Sequence, residues 1–144
     1  MTRYWVGVAS RDHVRRAVDG GFCQANHGRE APMKLLSKGD GILYYSPREA
    51  MENGAPVKAF TAIGRIADDA PYQAVQSERF QPFRRKAHYF DAKDVQIALL
   101  LDTLSFSRGG KNWALVLRRG FFAIEQADYE AVAEAAGVAG RLRS

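Results

Sequence analysis

The stretch Gly39-Asp40-Gly41-Ile42-Leu43-Tyr44-Tyr45-Ser46-Pro47 constrains the fold more than any other part of the chain. Gly-Asp-Gly is turn chemistry: glycine reaches positive φ without a steric penalty, and aspartate bonds back to its own backbone. The apolar run behind it is short, closes on two tyrosines and stops at a proline, which has no N–H for a strand ladder. This pattern predicts a buried strand that delivers aromatic and hydroxyl groups to one end of a sheet. Strand ends are where small sheets and barrels place ligand sites. The alternative is a core strand whose tyrosines only pack.

The segments around that strand read as short elements. Tyr4-Trp5-Val6-Gly7-Val8-Ala9 is a first strand, rich in aromatic and branched residues. Ser10 stands where a helix N-cap belongs and Asp12 puts negative charge in the first turn. Val14, Ala17 and Val18 make one apolar face, with Arg11, Arg15 and Arg16 off it, and Gly20-Gly21 ends the helix. Val57 to Ile66 is the clearest long strand, and Pro82 to Phe90 a later one that alternates bulky with charged groups. Arg48 to Pro56 reads as a solvated loop and Asp68 to Gln81 as irregular. Leu99-Leu100-Leu101 with Leu104 predict a short buried helix, stopped before Arg108-Gly109-Gly110-Lys111. Trp113 to Leu117 reads as a further strand, Phe121 to Ile124 as a short apolar run, and Tyr129, Val132, Ala133 and Ala136 line a final helix ended by Gly137. Five or six strands and three helices without strict βαβ alternation predict a curled or closed mixed sheet of the α+β class.

At 144 residues, 47% hydrophobic, residues 1–144 have the length of one domain with one sizeable core. No run has the length of a membrane span, and the first residues lack the apolar core of a signal peptide. A single cysteine excludes an internal disulfide and a multi-cysteine zinc site. A cytoplasmic, reduced protein is the expectation. The net charge of +5 is carried mainly by arginine, 15 of 21 basic residues. Arginine binds phosphate through a planar fork and stacks on flat rings, so anionic partners come first, nucleic acid above all.

Two constellations carry chemistry. Phe22-Cys23-Gln24-Ala25-Asn26-His27-Gly28 places an aromatic ring, a thiol, two amides and an imidazole in a row. Cys23 and His27 invite a thiol-enzyme or metal reading, but a metal would need further ligands and only His13 and His88 remain. A packed or ligand-lining cysteine is the plainer reading, with no metal and no cofactor. Basic groups also stand beside aromatics: Phe83 before Arg84-Arg85-Lys86, Lys111 near Trp113, and Arg118-Arg119 before Phe121-Phe122. Such interleaving suits single-stranded or extruded nucleotides, where rings stack on bases and arginines hold phosphates.

Taken in order, these residues resemble the EVE domain, a PUA-like family related in shape to the YTH readers of methylated adenine. The matching pieces are Tyr4 to Ser10 with Asp12-His13-Val14, Gly21-Phe22-Cys23-Gln24, His27-Gly28, Gly39-Asp40 and Tyr44-Tyr45-Ser46-Pro47. They continue through Phe60 to Gly64, Pro82-Phe83-Arg84-Arg85, Arg118 to Ile124 and Asp128-Tyr129. Gly41 departs from the pattern where an aromatic is expected, as does Ala-Leu-Val-Leu after Trp113, where Gly or Pro is common.

The resemblance implies a PUA-like pseudo-barrel with flanking helices and a pocket for a modified base of RNA or DNA. Its pocket would gather Ser10, the Phe22 to Asn26 segment with Cys23, then His27, Ser46 and Phe83. On that reading the base stacks on Phe22, Phe83, Trp113 or Tyr45. Gln24, Asn26 and Ser46 read its edge, since amides offer both donor and acceptor. Arg11, Arg84, Arg85, Lys86, Arg118 and Arg119 neutralise flanking phosphates. The competing expectations are a Cys23/His27 thiol enzyme and a binder of a free small molecule.

Overall fold

The computed structural model describes residues 1–107 and 113–143. In chain order it forms β1 (Tyr4–Val8), α1 (Arg11–Gly20), β2 (Phe22–Cys23), α2 (Glu30–Lys34), β3 (Gly41–Arg48), β4 (Pro56–Ile66), β5 (Tyr72–Gln73) and β6 (Phe83–Tyr89). Then come β7 (Val95–Gln96), α3 (Trp113–Leu117), β8 (Phe121–Ile124) and α4 (Gln126–Ala135). Six strands run side by side in the order β2-β6-β4-β3-β1-β8, with β5 attached to β6 and β7 to β4. Strands β1 and β3 are parallel and every other pair is antiparallel. The result is a curled mixed sheet, a PUA-like half-barrel of the α+β class with helices against it.

The central position of β3 follows from its sequence. Gly41 to Ser46 is buried without interruption, and a strand covered on both faces reads as a continuous apolar run. Leu43 and Tyr45 face one core with Val6, Phe60, Ile63 and the α4 residues Tyr129, Val132 and Ala133. Ile42 and Tyr44 face a second core with Trp5, Ala62, Ile66 and the α1 residues Val14 and Ala17. Each fully buried large apolar side chain contributes about 1.5–3 kcal/mol, so a strand feeding two cores anchors the fold. The turn before it is built as its chemistry predicts: buried Asp40 accepts from the Arg3 and Ser37 backbone N–H groups and from Trp5 Nε1, each at 3.0 Å.

Gly41 is a close approach. A Cβ there would stand 2.6 Å from Tyr4 Cδ1 and 2.7 Å from Tyr129 Cε1. The two tyrosine rings fill the space an aromatic would need at that position, and Tyr129 then donates its hydroxyl to the Gly64 carbonyl at 2.8 Å.

Three expectations are corrected. Trp113 to Leu117 is the helix α3, not a strand. Five apolar residues carry no period that separates the two, and the tertiary environment chose the helix: Leu117 turns into the first core while Ala114 and Leu115 stay exposed. Leu99 to Leu104 forms no buried helix. A 3₁₀ turn at Ile97–Leu99 buries Ile97, Leu104 is buried after it, and Leu99 is 75% exposed. The supposedly irregular Asp68 to Gln81 contains β5, and α2 was not foreseen at all. The Arg108-Gly109-Gly110-Lys111 stop lies outside the described residues.

Candidate nucleic-acid interface

Because β1 and β3 are parallel, their C-terminal ends lie together, and a cleft of about 1040 Å³ opens there. One wall is the start of α1, with Ser10, His13, Val14, Arg16 and Ala17. Facing it are Phe22 and the Gln24 to His27 segment with Arg29, Gln76, Phe80 and Arg84. Pro47, Arg48, Ala50 and Met51 continue from β3, and Leu117 to Gly120 close the remaining side. Cavities for small ligands commonly occupy about 300–1,000 Å³, so the cleft has room for more than one ring.

The walls are held by hydrogen bonds to rigid elements. Tyr44, on β3, accepts from the Gln24 N–H at 3.0 Å and donates to the Gln24 carbonyl at 2.6 Å. Burial pushes the Tyr44 hydroxyl well above its ordinary pKa, so it stays a neutral donor. Ser10 donates its hydroxyl to Asp12 Oδ1, which holds the Asp12 carboxyl below the usual carboxylate value. Asn26, His27 and Gly28 all take positive φ, at 50, 61 and 80°. A Cβ on Gly28 would lie 2.4 Å from Pro82 Cβ and 2.8 Å from its Cα, so only glycine lets this turn rest on the hairpin behind it.

The charge of the cleft is one-sided. Arg16, Arg29, Arg48, Arg84, Arg118 and Arg119 line it, and among the described residues no aspartate or glutamate does. Arg84 lies over the Phe22 ring, 3.7 Å from Cζ to centroid, and donates from Nε to Gln24 Oε1 at 2.9 Å and from Nη2 to Gln76 Oε1 at 3.0 Å. Among the described residues, Arg29, Arg118 and Arg119 have no carboxylate within ion-pair distance. Six guanidinium groups around one cleft, offset at Arg16 by the neighbouring Asp12 carboxylate, form a local positive field.

Not all of the expected residues meet there. Ser10, Phe22, Gln24, Asn26 and His27 line the cleft together with Arg84, Arg118 and Arg119. Tyr45 points to the opposite core, edge-on to Phe60 with ring centroids 5.6 Å apart. Ser46 is fully buried and shares a 2.6 Å hydrogen bond with the Thr61 hydroxyl, where the β3–β4 ladder slips register. Phe83 packs on the second core and Trp113 on the first. Arg11 is tied to Glu49 at 3.1 Å and to Asp94 at 2.5 Å, away from the cleft. Lys86 is exposed on β6 but does not reach the cleft. Arg85 is 1% exposed and belongs to the fold, each of its three nitrogens bonded internally.

Cys23 also lies beneath the site rather than in it. It is completely buried, and burial pushes its thiol up to about 12, whereas His27 is exposed. A nucleophilic thiol needs a depressed pKa and access. The thiolate fraction at pH 8 is on the order of 10⁻⁴, so iodoacetamide leaves Cys23 unlabelled in the native protein at that pH and labels it after denaturation. Mass spectrometry reads the difference, and rapid native labelling would revive the thiol-enzyme alternative. Among the described residues no group of three or more His, Cys, Asp or Glu stands close enough to hold a metal ion, and no helix is long and apolar enough to cross a membrane.

Sequence reasoning missed His13, Arg16, Arg29, Arg48, Met51, Gln76 and Phe80. His13 and Arg16 flank the apolar face of α1 at i, i+3 spacing, a signal that was available. Phe80 and Gln76 sit in an aperiodic loop that gives none.

A curled mixed sheet with two parallel strands at its centre and helices against it is the PUA-like fold. Residues 3–135 match the EVE domain, and the chain belongs to that family. A protein of Mycolicibacterium vanbaalenii, called a UPF0310 protein, is 44% identical over 131 residues, covering 91% of this chain and 90% of its own. A UPF0310 protein of Mesorhizobium japonicum is 44% identical over 139 residues, covering 95% and 93%. Among solved structures, a complex of RNA with the YTH-domain protein mmi1 superposes with a TM-score of 0.62 at 7% identity, over 99% of this chain and 87% of that one. The Pho92 YTH domain bound to m6A gives 0.61 at 14% identity, over 94% and 83%. At such identities the likeness is one of fold.

Proposed function

We propose that this cleft binds single-stranded RNA or DNA and takes in one base carrying a small apolar modification, acting by binding alone. The observation that carries the reading is the set of six arginines lining the cleft, with no carboxylate lining it among the described residues. A site for a free, uncharged molecule has no use for that field, whereas a polyanion releases counterions on meeting it. The apolar patches between the arginines (Val14, Ala17, Met51 and Phe80) offer a dry surface for a ring and its added methyl group. Burial of one methyl contributes about 0.8 kcal/mol, a three- to fourfold preference over the plain base. The two YTH domains, one in complex with RNA and the other with m6A, share this fold and support the same choice of ligand.

The test is titration of the protein with single-stranded RNA and DNA of about ten nucleotides, each with and without one methylated adenine or cytosine, at two salt concentrations. Binding weakens steeply with salt, and one modified strand binds at least threefold more tightly than its plain twin. Equal affinity for modified and plain strands removes the base-reading part; binding indifferent to salt removes the nucleic-acid part. Tight binding of a free nucleoside with no gain from added phosphates supports the small-molecule alternative instead.

A further inference from the structure

We propose that Arg84 is the surface on which the bound base stacks, with Phe22 serving as the backing that keeps the guanidinium flat; this rests on the binding reading above. Phe22 was the ring expected to meet the base directly. In the structure the Arg84 guanidinium already lies over that ring, with Cζ 3.7 Å from the ring centroid.

The hydrogen bonds around Arg84 point the same way. Nε and Nη2 are committed to the side-chain oxygens of Gln24 and Gln76, both neutral, so two of the three nitrogens are held in plane while the charge remains uncompensated. An arginine that serves as a phosphate clamp presents its fork to solvent. Here two of the five N–H donors hold the guanidinium to neighbouring amides, and with Cζ over the Phe22 ring its opposite face is the one offered to the cleft. One of the anchors is itself fixed, because Tyr44 grips the Gln24 backbone from both sides. A planar cation clamped in this way is a preorganised stacking partner for an electron-rich base.

A consequence for edge reading follows. With one lone pair of its Oε1 engaged by Arg84, Gln24 keeps both amide N–H donors for an acceptor on the base edge.

Arg84→Lys separates the two roles, since lysine keeps the charge and loses the plane. The readout is the affinity for a ten-nucleotide single strand carrying one methylated adenine, against the same strand with an abasic site at that position, at two salt concentrations. The wild type prefers the base-containing strand. Arg84→Lys loses about tenfold in that preference, the size of one stacking contact, with an unchanged salt slope. Gln76→Ala, on an exposed loop and harmless to folding, lowers the same preference by a smaller factor without altering the slope. If Arg84→Lys keeps the full preference, or if Arg84→Ala changes only the slope, Arg84 is a phosphate contact and the inference is overturned while the binding reading stands. If the wild type binds neither strand, both fall together.

Discussion

Replacing Arg85 with alanine lowers the unfolding free energy by about 3–5 kcal/mol, the cost of stranding a buried partner charge. The side chain is 1% exposed and feeds four acceptors. Nε donates to Asp68 Oδ1 at 2.7 Å and Nη2 to the Asp68 carbonyl at 2.8 Å. Nη1 donates to the Met33 carbonyl at 2.8 Å and to that of Leu36, at the end of the segment carrying α2. Truncation removes all of these at once and leaves the Asp68 carboxylate, itself only 16% exposed, with the Lys86 N–H as its remaining described partner. Urea or thermal unfolding measures the loss, and a fall in melting temperature of about 10–15 °C is expected for a domain of this size. Pairing it with Asp68→Asn recovers part of the loss, because the orphaned charge is gone. A stability within 1 kcal/mol of wild type for Arg85→Ala would show that these bonds do not hold the Met33–Leu36 segment and Asp68 to β6.

The second large effect is on binding. Reversing both charges on the last wall of the cleft, Arg118→Glu with Arg119→Glu, weakens binding of a single-stranded oligonucleotide by about 100-fold near 0.1 M salt. It also makes the log–log salt dependence shallower by about 1.4, from two phosphate contacts at about 0.7 each. Both side chains are exposed and have no described carboxylate partner, so stability changes by no more than about 0.5 kcal/mol. Fluorescence anisotropy across a salt series, with a thermal melt as control, makes the measurement. Wild-type affinity in the double variant would place any polyanion somewhere other than this cleft.

Adjacent residues show best how much of the site could be read in advance. Arg84, Arg85 and Lys86 form one basic run in the chain, and one role was expected of all three. Strand geometry separates them: alternate side chains leave β6 on opposite faces, so Arg85 enters the protein while Arg84 meets the cleft. Lys86 shares the direction of Arg84 but lies beyond the cleft wall. The same logic removed Tyr45 and kept Tyr44, and a register slip sealed Ser46 against Thr61.

The sequence by itself determined the local elements with a strong signal: the buried run of β3 behind its Gly-Asp-Gly turn, the amphipathic α1 opening at Ser10, the long β4, and the positive charge. These depend on patterns a few residues long, which propensity and periodicity report. It also pointed to Phe22, Gln24 and Asn26, because their chemistry is unusual for a linker. Only the tertiary structure decided which arginines line the cleft and which are struts, that Cys23 is sealed, and that α3 is a helix. Each of those outcomes depends on what lies across the sheet, on neighbours distant in the chain whose packing and desolvation no local pattern encodes.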